Sequence, residues 1–390
     1  MRAVLFLVAL PLIAQRPLVV ISVDGLDHRY LRDADKLGLK IPNLRALMKR
    51  GEVADGVVGV LSTVTWPSHT SLITGKRPDE HGIRGNRRPR EEGGDYYWST
   101  ALLKSPTLWQ VAERAGLKTA AITWPVTVDA EISYNLPEAF VKRKGGWMDW
   151  ATIRAKATPG LPENIIAFDK SIDQEWMDDR TRTLATVYLL KREKLDLILL
   201  HLVDHDAVAH EHGPFTKEAH EELERTDRYI GEIVAAAPKS ATICVTADHG
   251  FERIDRAVNL AKVPGRFTVL SGIVAAHDEE AEKFFRSAPP EYALGREVPE
   301  AEIRRFAPFL PSVRVAYEPV AHAQFTRNLS SEAVTLPPYE KGNHGQWPLR
   351  ANYRSAFVVA GPAIEAGKTR ELDMLEIAPR FAAILGVRLN

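Results

Sequence analysis

The chain has 390 residues, and its 51 Lys plus Arg balance 51 Asp plus Glu, giving zero formal net charge with histidine neutral. That balance argues against a basic nucleic-acid binder or an acidic tail protein, and 45% hydrophobic with 26% charged residues excludes disorder and fibre. Cys244 is the one cysteine, so internal disulfides and thiolate metal clusters are out, and any metal must be held by oxygen and imidazole.

In chain order, Met1-Arg2 precedes the apolar run AVLFLVALPLIA, too short to span a bilayer. Residues 1–14 read as a signal peptide, although Leu12 is a poor residue at the −3 position of a cut after Ala14. Export to a periplasmic or extracellular location is the expectation, and no later segment reads as a membrane span.

Leu18 to Val23 is a uniformly apolar, β-rich run ending in Asp24-Gly25, the pattern of a buried parallel strand that delivers a polar residue at its carboxyl end. The pattern returns at Lys118 to Thr123 before Trp124-Pro125, at Leu195 to Val203 before Asp204, and at Ala241 to Ala247 before Asp248-His249-Gly250. Ser355 to Ala360 before Gly361-Pro362 is a fifth such run. Helical periods lie between them: Ser105-Pro106 is expected to start a helix stopped by Gly116, TKEAHEELERTDRYIGEIVAAA is a long amphipathic segment, and Leu372 to Leu385 is a candidate interrupted by Pro379. Residues 84–100 are polar and Gly-rich and read as a loop. Together these predict an open, mostly parallel sheet covered by helices on both faces, whose chemistry lies beyond the carboxyl strand ends. The composition changes over 255–343, read as a small inserted α+β lobe within a core of 18–254 and 344–388.

Five of the twelve histidines fall between His201 and His220. Asp206 and His210 are four apart, so one helical turn puts carboxylate and imidazole on the same side, a half-site for a borderline metal. A hydrophilic loop whose histidines bond to backbone explains the same segment. Asp248-His249 emerges where a strand leaves the sheet, as does Asp24. A single strand-end aspartate can be a cap or turn former, but several such ends in one parallel sheet converge on one crevice. His344 between two glycines reads as a ligand or an exposed loop residue. Thr65 stands before Trp66-Pro67 at a predicted helix start, where its hydroxyl either caps the helix or faces an anion. As a nucleophile it would need a metal, which points to a pair of metals arranged for in-line displacement at phosphorus.

The ordered set resembles the nucleotide pyrophosphatase and phosphodiesterase family of the alkaline phosphatase superfamily, over roughly residues 18 to 388. VISVDGLDHRYL, TWPSH, HGIRGN, the Asp206–His210–Gly213-Pro214 spacing, TADHGF and GNHGQWP carry the resemblance, with Ser68 where the family has asparagine. It implies an alkaline-phosphatase-like three-layer α/β/α sandwich. It also implies a zinc held by Asp24, Asp248, His249 and Thr65, a second zinc held by Asp206, His210 and His344, and Thr65 as nucleophile forming a phosphothreonine. Manganese and iron suit the same donors. Asn86 is implied to hydrogen-bond a non-bridging phosphate oxygen, and Trp66, Trp124 and Tyr134 to line the substrate cleft or pack its wall. The implied partner is a small phosphate ester, nucleotides included, rather than a nucleic acid. An inward arginine among Arg84, Arg87, Arg88 and Arg90 would favour monoester or pyrophosphate over diester cleavage. His205 and His212 are extras, expected behind the ligands or on the surface. A phosphomonoesterase, a phospholipid-type diesterase and a silent metal-stabilised module are the competing readings.

Overall fold

The computed structural model describes residues 17–141, 149–173, 175–270 and 272–389; the amino-terminal run read as a signal peptide lies outside them. Eight strands make the central sheet: β1 (Leu18–Val23), β2 (Glu52–Ala54), β3 (Thr119–Ile122), β4 (Tyr134–Leu136), β5 (Leu197–Leu202), β6 (Thr242–Thr246), β7 (Phe357–Ala360) and β8 (Gly367–Thr369). Their order is β8-β2-β7-β6-β1-β5-β3-β4. All neighbouring pairs are parallel except those of β7, which runs against both β6 and β2.

The uniform apolarity of β1 follows from its place at the centre. Val19, Ile21 and Val23 face one apolar layer, with Leu44, Leu184, Leu223 and Ile230 from helices Pro42–Arg50, Asp179–Arg192 and Lys217–Ala236. Leu18 and Val20 face the other, with Leu72, Leu108 and Phe381 from helices Thr65–Thr74, Leu108–Arg114 and Ile377–Leu385. Alternate residues thus bury on opposite faces, and the result is the expected α/β/α sandwich. Cys244 sits inside β6, fully buried, and burial pushes its thiol up.

Several local expectations change. The strand β7 is reversed, so Gly361 lies against Thr242 at the far end of the sheet from the Asp24 end. Thr107, not Ser105-Pro106, caps helix Leu108–Arg114, in a reciprocal box with Gln110. Pro379 is the third residue of helix Ile377–Leu385, where its missing N–H has no intrahelical role, so it neither kinks nor splits the helix. Residues 256–336 build two small sheets outside the central one. Phe267–Leu270, Ile273–Ala276, Val315–Pro319 and Leu294–Glu297 form an antiparallel four-stranded sheet, and Arg256–Asn259 joins Ala323–Thr326 and Thr335–Leu336. Trp347 and Leu61 share an apolar cluster with Ile273 and Ile303, tying this region to the core.

Candidate active site

The turn after β1 places Asp24 beside Asp248 and His249, which follow β6. Gly25 adopts a positive φ of 68°, and its N–H donates to Asp248 Oδ1 at 3.1 Å. His249 Nε2 lies 3.0 Å from Asp248 Oδ2 and 3.3 Å from Asp24 Oδ1. One ligand atom from each of these residues lies within 4.8 Å of the others, and the same is true of Asp206, His249 and His344. The His249 and His344 rings stack, centroids 3.7 Å apart at 11°. His249 therefore belongs to both groups.

Asp206 and His210 stand on helix Asp204–His212, a nine-residue helix where a single turn or loop was the expectation. His210 Nε2 is 3.4 Å from Asp206 Oδ2, while its Nδ1 is held by Gly342 O at 3.0 Å and Glu340 Oε2 at 2.7 Å. The outer group that converges within 4.8 Å is thus Asp206, His249 and His344, with His210 beside Asp206 rather than inside it.

Asp24 Oδ1 and Asp206 Oδ1 are buried and find no hydrogen bond among the described residues, and the buried Asp248 Oδ2 and His249 Nε2 meet each other at 3.0 Å without well-formed hydrogen-bond geometry. Orphaned buried carboxylate oxygens cost on the order of 1–3 kcal/mol each or more, so a cluster of them fits a cation. The donors are oxygen and imidazole without thiolate, which suits zinc, manganese or iron. The titration directions agree. Burial, Asp206 and Asp248 raise Asp24 well above the carboxylate range, and burial also raises Asp206. Burial opposes charge on Asp248 and His249 as well, yet His249 and His69 hold Asp248 low, and Asp248, with Asp24 and Asp206, raises His249 to about 9.

Thr65 is the first residue of helix Thr65–Thr74. Its carbonyl accepts from His69 Nδ1 at 2.8 Å, and His69 Nε2 meets Ser22 Oγ at 2.9 Å; burial drives His69 down to about 3, so the ring is neutral. Neither His69 nor His201 was singled out from the sequence, although both lie beside the predicted ligands. His201 contacts Asp24 and is raised well above its ordinary value by Glu138 and Asp24 against burial. Thr65, Trp66 and Asn86 share one cavity of about 1100 Å³ with Asp24, Asp206, His210 and His344. Asn86 Oδ1 accepts from the Trp66 N–H at 3.0 Å, and Ser68 Oγ is buried without a described partner.

Trp66 lines this cavity, but Trp124 and Tyr134 do not. Trp124 is fully buried with its ring edge-on to His69 at 4.9 Å, and Tyr134 bonds Glu193 at 2.6 Å from the edge strand β4. Their places are taken by Tyr96, Phe140 and Trp176, which sequence reasoning missed. Tyr96 lies 5.0 Å from Trp66 and 4.9 Å from Phe140. None of Arg84, Arg87, Arg88 and Arg90 lines the cavity. Arg84 pairs with Glu92 at 3.1 Å and Arg87 lies 4.1 Å over the Tyr96 ring. Arg182 and Lys341 are the basic residues that line it, and Arg182 is already bound to Asp179 at 2.9 Å. His205 is buried against Tyr30, and His212 is half-buried beside Glu211.

A family model described as type I phosphodiesterase / nucleotide pyrophosphatase matches residues 18–316. Human ectonucleotide pyrophosphatase/phosphodiesterase family member 7 is 24% identical, covering 62% of this chain and 49% of its own length. The venom phosphodiesterase CdcPDE of Crotalus durissus collilineatus is 26% identical over 62% of this chain and 27% of its own, and family member 1 of Mus musculus is 24% identical over 95% and 41%. The chain thus spans half or less of the length of these relatives. Among solved structures, murine ectonucleotide pyrophosphatase/phosphodiesterase 5, as an inactive variant in complex with AMP, superposes with a TM-score of 0.68 at 18% identity over 96% of both chains. The human protein of that name gives 0.68 at 19% over the same shares. With the sandwich, the converging carboxylates and histidines and the family match in hand, the chain belongs to the type I phosphodiesterase / nucleotide pyrophosphatase family of the alkaline phosphatase superfamily.

Proposed function

We propose that this protein hydrolyses phosphodiester or pyrophosphate bonds in small phosphate esters, nucleotides among them, through a phosphothreonine on Thr65. The observation that carries the reading is that two converging groups of carboxylate and imidazole atoms, buried or half-buried, reach through Asp24, Asp206 and His344 the cavity that Thr65 and Asn86 also line. Asp24, Asp248, His249 and Thr65 would hold one divalent ion and Asp206, His210 and His344 the other, zinc by donor type. Such ions supply Lewis acidity that lowers the pKa of a hydroxyl and stabilises charge on oxygen.

The residues of the chain account for the remaining steps. Thr65 stands at the amino end of a ten-residue helix, whose dipole favours negative charge developing on its oxygen. Attack by Thr65 Oγ forms the new oxygen–phosphorus bond as the alcohol or phosphate leaves, and water then cleaves that bond to restore the hydroxyl. Asn86, whose Oδ1 is engaged by Trp66 N–H, keeps its amide N–H groups to donate to a non-bridging oxygen. Diester preference follows from charge: Arg182 is bound to Asp179, and against Lys341 the cavity wall carries Asp178, Asp204, Glu211 and Glu340, a poor setting for a doubly charged monoester.

The test is a rate comparison among p-nitrophenyl phosphate, bis-p-nitrophenyl phosphate and the p-nitrophenyl ester of thymidine monophosphate. A large excess for the thymidine diester supports a nucleotide substrate, and a faster monoester overturns the diester reading. The aromatic wall of Trp66, Tyr96, Phe140 and Trp176 favours a phospholipid-type diester as the second reading, which equal rates on the two diesters would support. Export is part of the proposal, and detection of the chain only in the cytosolic fraction of expressing cells would remove it.

A further inference from the structure

We propose that Glu138 and His201 form a positioning pair that fixes Asp24 so that one of its oxygens alone is offered to the inner cation, an inference that rests on the two-metal reading above. Parallel pairing sets His201 of β5 beside Ser22 of β1, which in turn pairs with Thr246 of β6, so all three lie in one row of the sheet. The His201 side chain points to the site and is fully buried. Its Nε2 is 3.0 Å from Asp24 Oδ2, and its Nδ1 is 2.8 Å from Glu138 Oε2 and 3.2 Å from Thr123 O. The ring is held by a carboxyl group on each side and cannot rotate without losing a contact.

The consequence falls on Asp24. Its Oδ2 is engaged by His201, whereas Oδ1 has no hydrogen bond and sits 3.3 Å from His249 Nε2, inside the inner group. The carboxylate is thereby held in one rotamer with one oxygen turned to the site. Glu138, in the loop that follows β4, braces the ring from behind and is itself buried. The His201 backbone is fixed too, since its carbonyl accepts from Thr123 Oγ1 at 3.0 Å, which in turn accepts from Arg182 Nε at 3.1 Å. Neither Glu138 nor His201 belongs to either converging group of ligand atoms. Partners of this kind orient metal-binding groups, and their loss typically weakens metal affinity about 10–100-fold.

The experiment uses the full chain, stripped of metal and titrated with zinc against a chromophoric chelator, with bound zinc counted. In Glu138→Ala one of the two ions should weaken about 10–100-fold. The count at fixed chelator should then fall from two to one, kcat should fall with it, and KM for a p-nitrophenyl diester should stay within about twofold. Glu138→Gln keeps an acceptor for His201 and should recover most of the affinity. His201→Gln, which cannot bridge both carboxylates, should repeat the loss of one ion. Melting of the metal-free variants checks that they fold. Unchanged affinity for both ions, equal weakening of both in a folded variant, or a rise in KM alone with both ions retained overturns the pair, and failure of both Glu138→Ala and His201→Gln to fold assigns it to folding instead. Zinc counting reads the pair whatever the substrate, so a chain that binds two ions normally yet cleaves no phosphate ester counts against the proposed reaction and not against the positioning argument.

Discussion

The inner and outer groups of ligand atoms use the same side-chain types in different settings. Asp24, Asp248 and His249 follow strands of the central sheet, and their side chains are buried almost completely. A backbone N–H, the His201 ring and the neighbouring His69 surround them. The outer group shares His249 with the inner one, but its other members differ: Asp206 rides on a helix with His210 beside it and His344 sits in a loop, and the side chains of Asp206, His210 and His344 keep 14%, 20% and 10% exposure. Loop groups brace the outer residues: Gly342 O and Glu340 hold His210, and Thr63 O lies 3.4 Å from His344 Nδ1. Donor type already separates them, with two carboxylates and one imidazole in the inner group against one carboxylate and two imidazoles in the outer, and the surroundings act in the same direction. The frame around them predicts a tight, slowly exchanging inner ion and a more labile outer one, because rigidity and exclusion of water both strengthen coordination.

The largest expected effect leaves that comparison untouched and thereby sharpens it. Thr65→Ala should lower turnover of a phosphodiester by about 10⁴-fold, as expected for loss of a nucleophile, while two ions per chain remain bound. Activity within tenfold of the parent in metal-replete Thr65→Ala would sink the assignment. Next comes the comparison of ligand variants. Asp248→Asn should lose the inner ion with a fall of about 10³-fold in kcat/KM, and His344→Asn should lose the outer ion with about 10²-fold, both read with metal counting. In the parent, chelator should remove the outer ion first, lowering the melting temperature in two steps, since each ion stabilises the folded chain by about 2.7 kcal/mol at 100 times its Kd. Simultaneous loss of both ions would break the distinction.

The two groups were legible in the sequence through different signals, the outer through the dense histidines and the four-residue spacing of Asp206 and His210, the inner through the ends of buried strands. A strand buried on both faces is apolar throughout, so the first aspartate after it marks the sheet end, and Asp24 and Asp248 stand there. Helix Asp204–His212 has no such mark of its nine-residue extent beyond the Asp206 and His210 spacing. It buries only His205 and Ala209 and has no side-chain cap, so it lacks an apolar stripe of helical period. The direction of β7 was also illegible, because a strand buried throughout reads the same in either direction. His201 and Glu138 were hidden for a third reason. His201 lies within the apolar run of β5, and only the register with β1 brings it beside Asp24. Trp124 shows the converse, since it follows a strand as Asp24 does, yet the chain turns at Thr123 with φ 49° and the indole enters the core.

Gly25 joins the two groups and permits a finer test. Its φ of 68° disfavours a side chain, and an added Cβ would come within 2.8 Å of the Phe251 ring and 3.3 Å of Asp206 Oδ1. Gly25→Ala should therefore cost about 2 kcal/mol in stability. Its metal effect should fall on the outer group, an affinity loss of about tenfold, because Asp206 is displaced while the Gly25 N–H still holds Asp248. Weakening of the inner ion instead would show that the turn matters more to Asp248 than to Asp206.

The smallest effect concerns a residue outside both groups, and it separates acid sensitivity of the fold from acid release of metal. His81 is fully buried; Ile83 N–H donates to its Nδ1 at 3.1 Å, and its Nε2 lies 3.0 Å from Ser71 Oγ. Ser71 donates its own proton to Lys76 O at 2.8 Å, so His81 carries its hydrogen on Nε2 and Nδ1 must stay unprotonated. Burial lowers the ring to about 3 from an ordinary value near 6.5. A histidine depressed in the folded state contributes its full stability above about pH 6.5 and loses it as pH falls towards 3. At pH 5 the loss is at most about 2 kcal/mol, from 1.36 kcal/mol per pH unit. In metal-free protein, denaturant melts of His81→Gln should accordingly show a shallower decline in stability between pH 6.5 and 5 than the parent. Parallel declines would place the acid response elsewhere, in the carboxylates of the two groups themselves.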